Sequence, residues 1–560
     1  MTLDNKKKKK IKLPKIKELK KPIIVGGLIT SVAIAGIIIG IIISTLNPKR
    51  GILNVGITYE VNWIDPLLFN TAAEKIIINQ VTETLFENDY IGGTSQIINN
   101  LAINHSWNSN YTEFTCFLRE GVSFHDGTPF NATAVKWNFD RVIQIIDPSN
   151  PFIISWGYLF FLPDGRWIIN ETQVINRYTV KFILNDRFVP FRDLLTHSAT
   201  GILSPASTPA NKTLQLQTDD IVGTGPFIYD GYNPNLNITL SPNQNYWGTK
   251  PNIDKMVLLF YPNSTTRIDD LWYGLLNKEI DMLDYNYFEC YDRSIDLLKS
   301  YPGITVQEAP APLNYRFIGM DNNMINTTMR KAISYAINYS QIDEINPNTI
   351  KSKSPIPEGI LYSNTTGIDV PYYNISKARQ ILIDTGWPGT AGLTANDNVS
   401  SGNEWEKLVT NGTPLATYNL SYMPWMHYSE GMSRSFPDNL KQIGINVTRQ
   451  FIFSTPYQII ALGWIYDYND PHNAMLDYHS KWNMINLNDT MIDEWIENGV
   501  KETDPILREK VYYNIQKRFI EEIYPVIFAF STLDFEVYVS NLKGLHLTPF
   551  KTLLKTIYFF

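Results

Sequence analysis

The sequence predicts an α/β fold in which strands and helices form several packed layers. Its 560 residues are enough for three or four structural units. With 44% hydrophobic and 18% charged residues, its composition is that of a globular protein. Strand periodicity over 177–184 and 237–240 alternates with helical periodicity over 329–337 and 376–383. This mixture favours α/β or α+β layers over an all-β fold.

One continuous stretch, 114–141, combines a strand, a turn and a helix. Apolar residues alternate with others over 114–118, as in a strand with one buried face. Gly121 and Gly127 predict a tight return, and Asn131 is expected to cap the helix that follows. That helix places four apolar residues on one face: Val135, Phe139, Val142 and Ile146. Taken alone, the stretch is a scaffold element with no chemistry of its own.

The N-terminus predicts a membrane anchor. Residues 23–46 carry no charge over 24 positions, about 36 Å as a helix, which spans a bilayer. Ten lysines between Lys6 and Lys21 precede them, and positive charge favours the cytoplasmic side. A cleavable signal peptide is the alternative, but its apolar region is usually shorter. We therefore expect a single-pass protein of the cell membrane, with a cytoplasmic basic arm (1–22), an uncleaved anchor (23–46) and an extracellular body.

The body beyond residue 50 is acidic, holding 36 basic and 53 acidic residues, which argues against a nucleic-acid partner. It contains 16 Asn-x-Ser/Thr sequons, more than its composition would give by chance, which indicates a glycosylated exterior surface. Cys116 and Cys290 are too few for a disulfide framework or a metal site; Cys116 is expected in a strand core, and pairing with Cys290 stays open.

Motifs for catalysis are missing from the sequence. It contains no HExxH, GxSxG, Walker A or CxxC pattern, and its seven histidines show no metal-ligand spacing. A secreted hydrolase on a membrane stalk would need such a site. We therefore expect no enzymatic activity, no catalytic residue, no metal and no cofactor.

The stretch 114–141 resembles the "F-x-L-R-x-G-V-x-F-H-D-G-T-P" block of the family 5 extracellular solute-binding proteins, the peptide and nickel receptors of ABC importers. Other segments resemble further blocks of the family, in the same order: 64–66, 222–227, 245–248, 277–281, 329–337, 354–357, 378–387 and 463–471. Such agreement over some 450 residues identifies the chain as similar to this family.

The resemblance implies a two-lobed periplasmic-binding-protein-like fold (class II, cluster C) with an extra domain. The chain would cross between lobes, so that the domains are discontinuous. The expected division is lobe I at 51–87, 218–313 and 526–560, the extra domain at 88–217, and lobe II at 314–525.

A candidate site lies in the segment 463–471. Trp464 offers a flat apolar platform, Gly463 permits close backbone approach, and Asp467 is a carboxylate among aromatic residues. The resemblance implies that Asp467 holds the α-ammonium group of a peptide, while the backbone at Gly463, Trp464 and Ile465 pairs with it as an added strand. The opposing edge is expected at three residues: Asn70, Thr71 and Ala72. If the site is wrong, Asp467 caps a turn and Trp464 is a core residue.

The resulting hypothesis is a membrane-anchored, extracellular, monomeric receptor that captures peptides between two lobes and delivers them to an ABC permease. The alternative within this fold is an oligosaccharide receptor, for which the 13% aromatic content would provide stacking surfaces.

Overall fold

A computed structural model describes most of the body of the protein. The described residues are 51–57, 60–91, 94–261, 267–283, 294–341, 349–396, 404–423, 427–451, 457–550 and 552–560. The predicted basic arm and membrane anchor, 1–22 and 23–46, lie outside them, as does Cys290. None of the described helices combines the length and the apolar composition that crossing a bilayer requires.

The first sheet contains seven strands of the described chain and mixes parallel with antiparallel pairs. Its central strand Ile52–Ile57 buries Leu53, Val55 and Ile57 completely and runs parallel to Lys255–Phe260. In spatial order the strands are Ile304–Glu308, Phe535–Val539, Met282–Leu283, Ile52–Ile57, Lys255–Phe260, Asn237–Pro242 and Phe227–Asn233.

The second sheet contains six strands of the described chain, in the order Thr349–Lys351, Val526–Thr532, Asn314–Met320, Ile459–Ile465, Ala416–Tyr422 and Ile445–Phe451. The strand Val526–Thr532 was expected in lobe I, and this boundary is wrong. All seven of its residues are buried, and it pairs antiparallel with Asn314–Met320. Its alternate side chains enter two different cores, with Phe528 on one face and Ala529 on the other. A strand that is apolar on both faces fits inside this sheet, so the chain returns to the first sheet only beyond Thr532.

The third sheet contains four antiparallel strands, in the order Ala102–Trp107, Glu113–Leu118, Thr179–Leu184 and Ile169–Asn176. It confirms the predicted strand, turn and helix of 114–141. Phe114, Cys116 and Leu118 are buried, and Cys116 is a free cysteine. The helix Ala132–Ile145 begins where the Asn131 side chain accepts a hydrogen bond from the Ala134 N–H at 3.0 Å. The predicted strand at 177–184 begins two residues late, at Thr179.

Helices cover the sheets and confirm the helical periodicity at 329–337 and 376–383, within two residues at each end. Further short two-stranded ladders join Phe86–Ile91 to Thr94–Asn99, Leu542–Lys543 to Tyr558–Phe559, and His546–Leu547 to Thr552–Leu553. The described α-helices are Ala72–Val81, Ala132–Ile145, Phe191–Leu194, Arg267–Leu276, Ser294–Lys299, Thr327–Ala336, Ile375–Asp384, Glu404–Thr410, His427–Lys441, His472–Met475, Thr490–Lys501 and Pro505–Lys517. Short 3₁₀ turns occur at Pro151–Ile153, Gly157–Phe160, Ser198–Thr200 and Leu476–Tyr478, and Arg518–Ile523 is a π-helix.

Candidate ligand-binding cavity

A cavity of about 400 Å³ is bordered by three segments that lie far apart in the sequence. Its size falls in the range of small-molecule sites. The first segment precedes and opens the helix Ala72–Val81, the second lies at 152–158, and the third begins inside the strand Ile459–Ile465 and ends at Met484. The lining residues are Phe69, Asn70, Thr71, Ala72, Lys75, Phe152, Ser155, Trp156, Tyr158, Gly463, Trp464, Ile465, Asp467, Asp477 and Met484.

The N-terminus of the helix Ala72–Val81 is held by a buried carboxylate. Thr71 and Glu74 form a capping box, in which the Thr71 hydroxyl accepts the Glu74 N–H and Glu74 accepts the Thr71 N–H. The same carboxylate accepts the N–H groups of Asn70 at 2.6 Å, Asn62 at 2.8 Å and Trp63 at 2.9 Å. Four backbone donors on one side chain fix the first wall of the cavity.

The strand Ile459–Ile465 presents an open edge to the cavity. On its other side it pairs antiparallel with Asn314–Met320, and the Tyr466 N–H donates to the Leu313 carbonyl at 2.8 Å. Because hydrogen-bonded and non-hydrogen-bonded pairs alternate in such a ladder, the N–H and C=O groups of Gly463 and Ile465 point away from that neighbour. The next strand on that side pairs only as far as Ile460 in the described chain. Gly463 and Ile465 therefore offer backbone donors and acceptors to whatever occupies the cavity.

The space beside Gly463 is filled by a side chain of the neighbouring strand, which leaves no room for a Cβ atom. A Cβ at this position would collide with the Cδ atom of Arg316, a fully buried residue on the neighbouring strand. Gly463 was expected to permit the close approach of a backbone; within the protein, the Arg316 side chain approaches it instead. Its guanidinium also lies 3.5 Å from the Trp464 carbonyl oxygen, at the outer limit of a hydrogen bond.

Asp467 is buried at the cavity wall and already has a cationic neighbour. Lys75 Nζ lies 3.3 Å from Asp467 Oδ1, and His197 Nε2 lies 3.7 Å from the same oxygen. Burial alone would raise the pKa of Asp467, but Lys75 and His197 outweigh it and lower that pKa below its usual value. The Asn473 side chain also accepts the Asp467 N–H at 3.0 Å. Asp467 is thus an ionised carboxylate whose Oδ2 accepts no hydrogen bond from the described residues.

A second carboxyl group, Asp534, lies within electrostatic range of Asp467 and Lys75. Burial raises the pKa of Asp534 to about 7, while Arg316 and Lys75 oppose that rise. Arg316, Lys75 and Asp467 therefore all lie close enough to Asp534 to influence its charge.

Aromatic side chains form the opposite wall. Trp156 donates its indole N–H to the Phe69 carbonyl at 3.0 Å, which joins this wall to the first. Ser155 donates to the Asn70 side chain at 2.6 Å. The rings of Tyr158 and Trp464 meet edge to face at 6.3 Å, which joins the wall to the third segment.

The structure brings all seven predicted site residues to this one cavity, although 391 positions separate Ala72 from Gly463 in the sequence. Their role in binding stays a prediction. Trp464 is half-buried at the wall, neither fully core nor fully exposed. The sequence interpretation missed Lys75, Asp477 and the aromatic wall of 152–158. For Lys75 the only available signal was its position one turn into the helix that Thr71 caps.

The described residues contain no cluster of three or more histidine, cysteine or carboxylate side chains able to hold a metal ion.

Two sheets built from discontinuous parts of the chain, a third antiparallel sheet and a cavity lined by distant segments are features of the periplasmic-binding-protein fold. The chain belongs to the bacterial extracellular solute-binding proteins, family 5, whose middle region matches residues 96–486. Members of this family are substrate-binding proteins and not enzymes, and the family places the body outside the cytoplasm.

Comparisons of sequence and structure agree with this assignment. The probable D,D-dipeptide-binding periplasmic protein of Escherichia coli is 24% identical over 461 residues, which cover 78% of this chain and 80% of that protein. The glutathione-binding protein of Pectobacterium atrosepticum is 27% identical over 370 residues, covering 63% and 65%.

A periplasmic binding protein of Helicobacter pylori, solved with the peptide STSA, superposes with a TM-score of 0.71 at 21% identity. That match covers 92% of this chain and 99% of the other. The dipeptide-binding protein of a Pseudoalteromonas species, solved with Met-Leu, also gives 0.71 at 21%, covering 90% and 100%. At this identity the structural matches establish the shared fold.

Proposed function

We propose that this protein captures short peptides in the cavity and delivers them to an ABC-type permease. The observation that carries the proposal is the open strand edge at Gly463 and Ile465, because its free backbone groups can pair with a peptide of any sequence. Relatives of the chain are named for dipeptides and glutathione, and solved neighbours contain peptides.

In this proposal the α-ammonium group of the peptide binds Asp467. Lys75 and His197 approach Oδ1, and a carboxylate can accept several donors, so Asp467 can accept a further one from the ligand. Low solvation at this buried position strengthens the resulting charge-assisted hydrogen bond. Asn70, Thr71 and Ala72 would line the far side of the bound chain.

The cavity would lie between two lobes that close on the ligand. In this division lobe I comprises 51–87, 218–313 and, after the correction above, the segment beyond Thr532. The extra domain is 88–217, and lobe II runs from 314 to Thr532. Binding would then be a hinge motion in a monomer.

The apolar span 23–46 would anchor the body to the membrane, which raises its effective concentration at a permease. Protease added outside intact cells should degrade the body of the full chain and spare an epitope on the N-terminal arm. Release of the intact body into the medium would contradict anchoring. Enzymatic deglycosylation of the full chain would lower its apparent mass if the sequons are used.

An oligosaccharide is the second candidate ligand, favoured by the aromatic wall of Trp156, Tyr158 and Trp464. A thermal-shift screen of the full chain separates the two classes, because only a bound ligand raises the unfolding midpoint appreciably. We expect short peptides to raise it and neutral oligosaccharides to leave it unchanged. The reverse result would overturn the peptide assignment.

A further inference from the structure

The cavity contains a second carboxyl group, Asp477, in the 3₁₀ turn Leu476–Tyr478. Its side chain makes no hydrogen bond and no ion pair with the described residues. In this it differs from Asp467, which has Lys75 at 3.3 Å. Asp477 is the acidic group at the cavity wall that the protein leaves uncompensated.

The surroundings of Asp477 are aromatic rather than cationic. Tyr158, Tyr315, Tyr466 and Tyr478 lie close enough to be affected by its charge, and each has its own pKa raised. Two of these phenols bond to each other, Tyr315 to Tyr478 at 3.0 Å, and Tyr466 donates to a backbone carbonyl. None of the described cations offsets the burial that raises the pKa of Asp477 to about 8.

We propose that Asp477 and the rings around it form a subsite for a cationic side chain of the ligand, so that the cavity selects peptides containing lysine or arginine. A cation there would relieve the cost of a desolvated carboxylate and would also meet the faces of neighbouring rings. This assignment rests on the proposed peptide function, and it adds a chemical preference that backbone pairing alone cannot supply.

Calorimetric titration of the full chain with matched tripeptides tests the subsite. One set carries lysine at the first, second or third position of an alanine background, and the other carries uncharged norleucine there. We expect at least one lysine peptide to bind at least about tenfold more tightly than its norleucine partner. In Asp477→Asn that ratio should fall below about twofold.

The exposed carboxylate Glu494 supplies the control, because Glu494→Gln removes one negative charge away from the cavity. A lysine preference that is absent from the wild type, or that survives in Asp477→Asn, would overturn the subsite. If no tripeptide binds the wild type, the peptide function fails, and 1,5-diaminopentane becomes the probe. Its stabilisation of the wild type but not of Asp477→Asn would support the subsite, and equal effects on both would overturn it.

Discussion

At the scale of single residues, the two carboxylates of the cavity behave differently because their neighbours differ. Asp467 is kept ionised by Lys75 and His197, whereas Asp477 is desolvated without a compensating cation. The sequence singled out Asp467 because a whole block of residues around it resembles the family. It could not show that Lys75, 392 residues away, would lie against it, nor that Asp477 would face the same cavity.

No described cation offsets the burial of the Asp477 carboxyl group. We therefore expect the free energy of unfolding to depend on pH through this group. An unfolded aspartate has a pKa near 3.9, whereas the folded protein raises that of Asp477 to about 8. Between these values the folded state retains a proton that the unfolded state has lost, so this group makes stability fall as pH rises. Asparagine does not titrate. Asp477→Asn should therefore unfold at a higher temperature than the wild type at pH 8 and at nearly the same temperature at pH 4.

Differential scanning calorimetry of the ligand-free protein at both pH values measures this difference. Glu494→Gln, with its exposed carboxylate, should show no such dependence on pH. A difference between Asp477→Asn and the wild type that is equal at pH 4 and pH 8 would contradict an unpartnered carboxyl at position 477.

At the scale of elements, the strand Ile459–Ile465 has a neighbouring strand on both sides in its first half and on one side only in its second half, among the described residues. It pairs with a parallel neighbour only at its beginning, while its antiparallel partner follows it throughout. The sequence predicted strands and helices where periodicity was strong, as at 114–118 and 132–145. The division implied by the family resemblance assigned 526–532 to lobe I, whereas Val526–Thr532 pairs within the second sheet. Apolar residues on both faces identify a buried strand without telling which sheet contains it.

If a peptide pairs with the open edge at Gly463 and Ile465, N-methylation should weaken its binding at every second amide and not at the amides between them. Successive N–H groups of an extended chain point to opposite sides, so only every second one can donate to Gly463 or Ile465. Methylating such an amide should weaken binding by about 0.5–1.5 kcal/mol, the net value of one hydrogen bond, or more if an acceptor is left buried. Methylation of the neighbouring amides serves as the control and should have little effect.

Calorimetry with a series of singly N-methylated tetrapeptides reads out this pattern. A uniform loss along the series, or no loss at any position, would show that the ligand does not pair with the strand edge.

At the scale of the whole molecule, the segment 481–482 contacts the predicted extra domain (88–217) directly. Lys481 Nζ donates to the Asp164 carbonyl at 2.7 Å, and the Trp482 indole N–H donates to the Pro163 carbonyl at 2.8 Å. Trp482 also meets Phe152 edge to face at 5.7 Å, next to the cavity. If the lobes close over a ligand, these contacts hold the closed form together.

Trp482→Phe keeps an aromatic ring in this contact and removes its donor. Losing one hydrogen bond of about 0.5–1.5 kcal/mol should speed ligand release by up to about tenfold, while association changes little. Stopped-flow fluorescence with a bound peptide measures both rates. Trp495→Phe, a half-buried tryptophan on the helix Thr490–Lys501, is the matched control. Unchanged dissociation in Trp482→Phe would mean that this contact does not hold the ligand in.

The central claim is that the cavity binds a peptide with its amino end at Asp467. Calorimetric titration of trialanine and N-acetyl-trialanine into the full chain tests it most directly, because acetylation converts the charged ammonium group into a neutral, larger amide. We predict that the wild type binds the unblocked peptide more tightly by about 2 kcal/mol or more. Asp467→Asn combined with Lys75→Met, which removes both charges of the pair, should bind the two peptides equally. Equal affinities in the wild type, or no binding of either peptide, would contradict the claim.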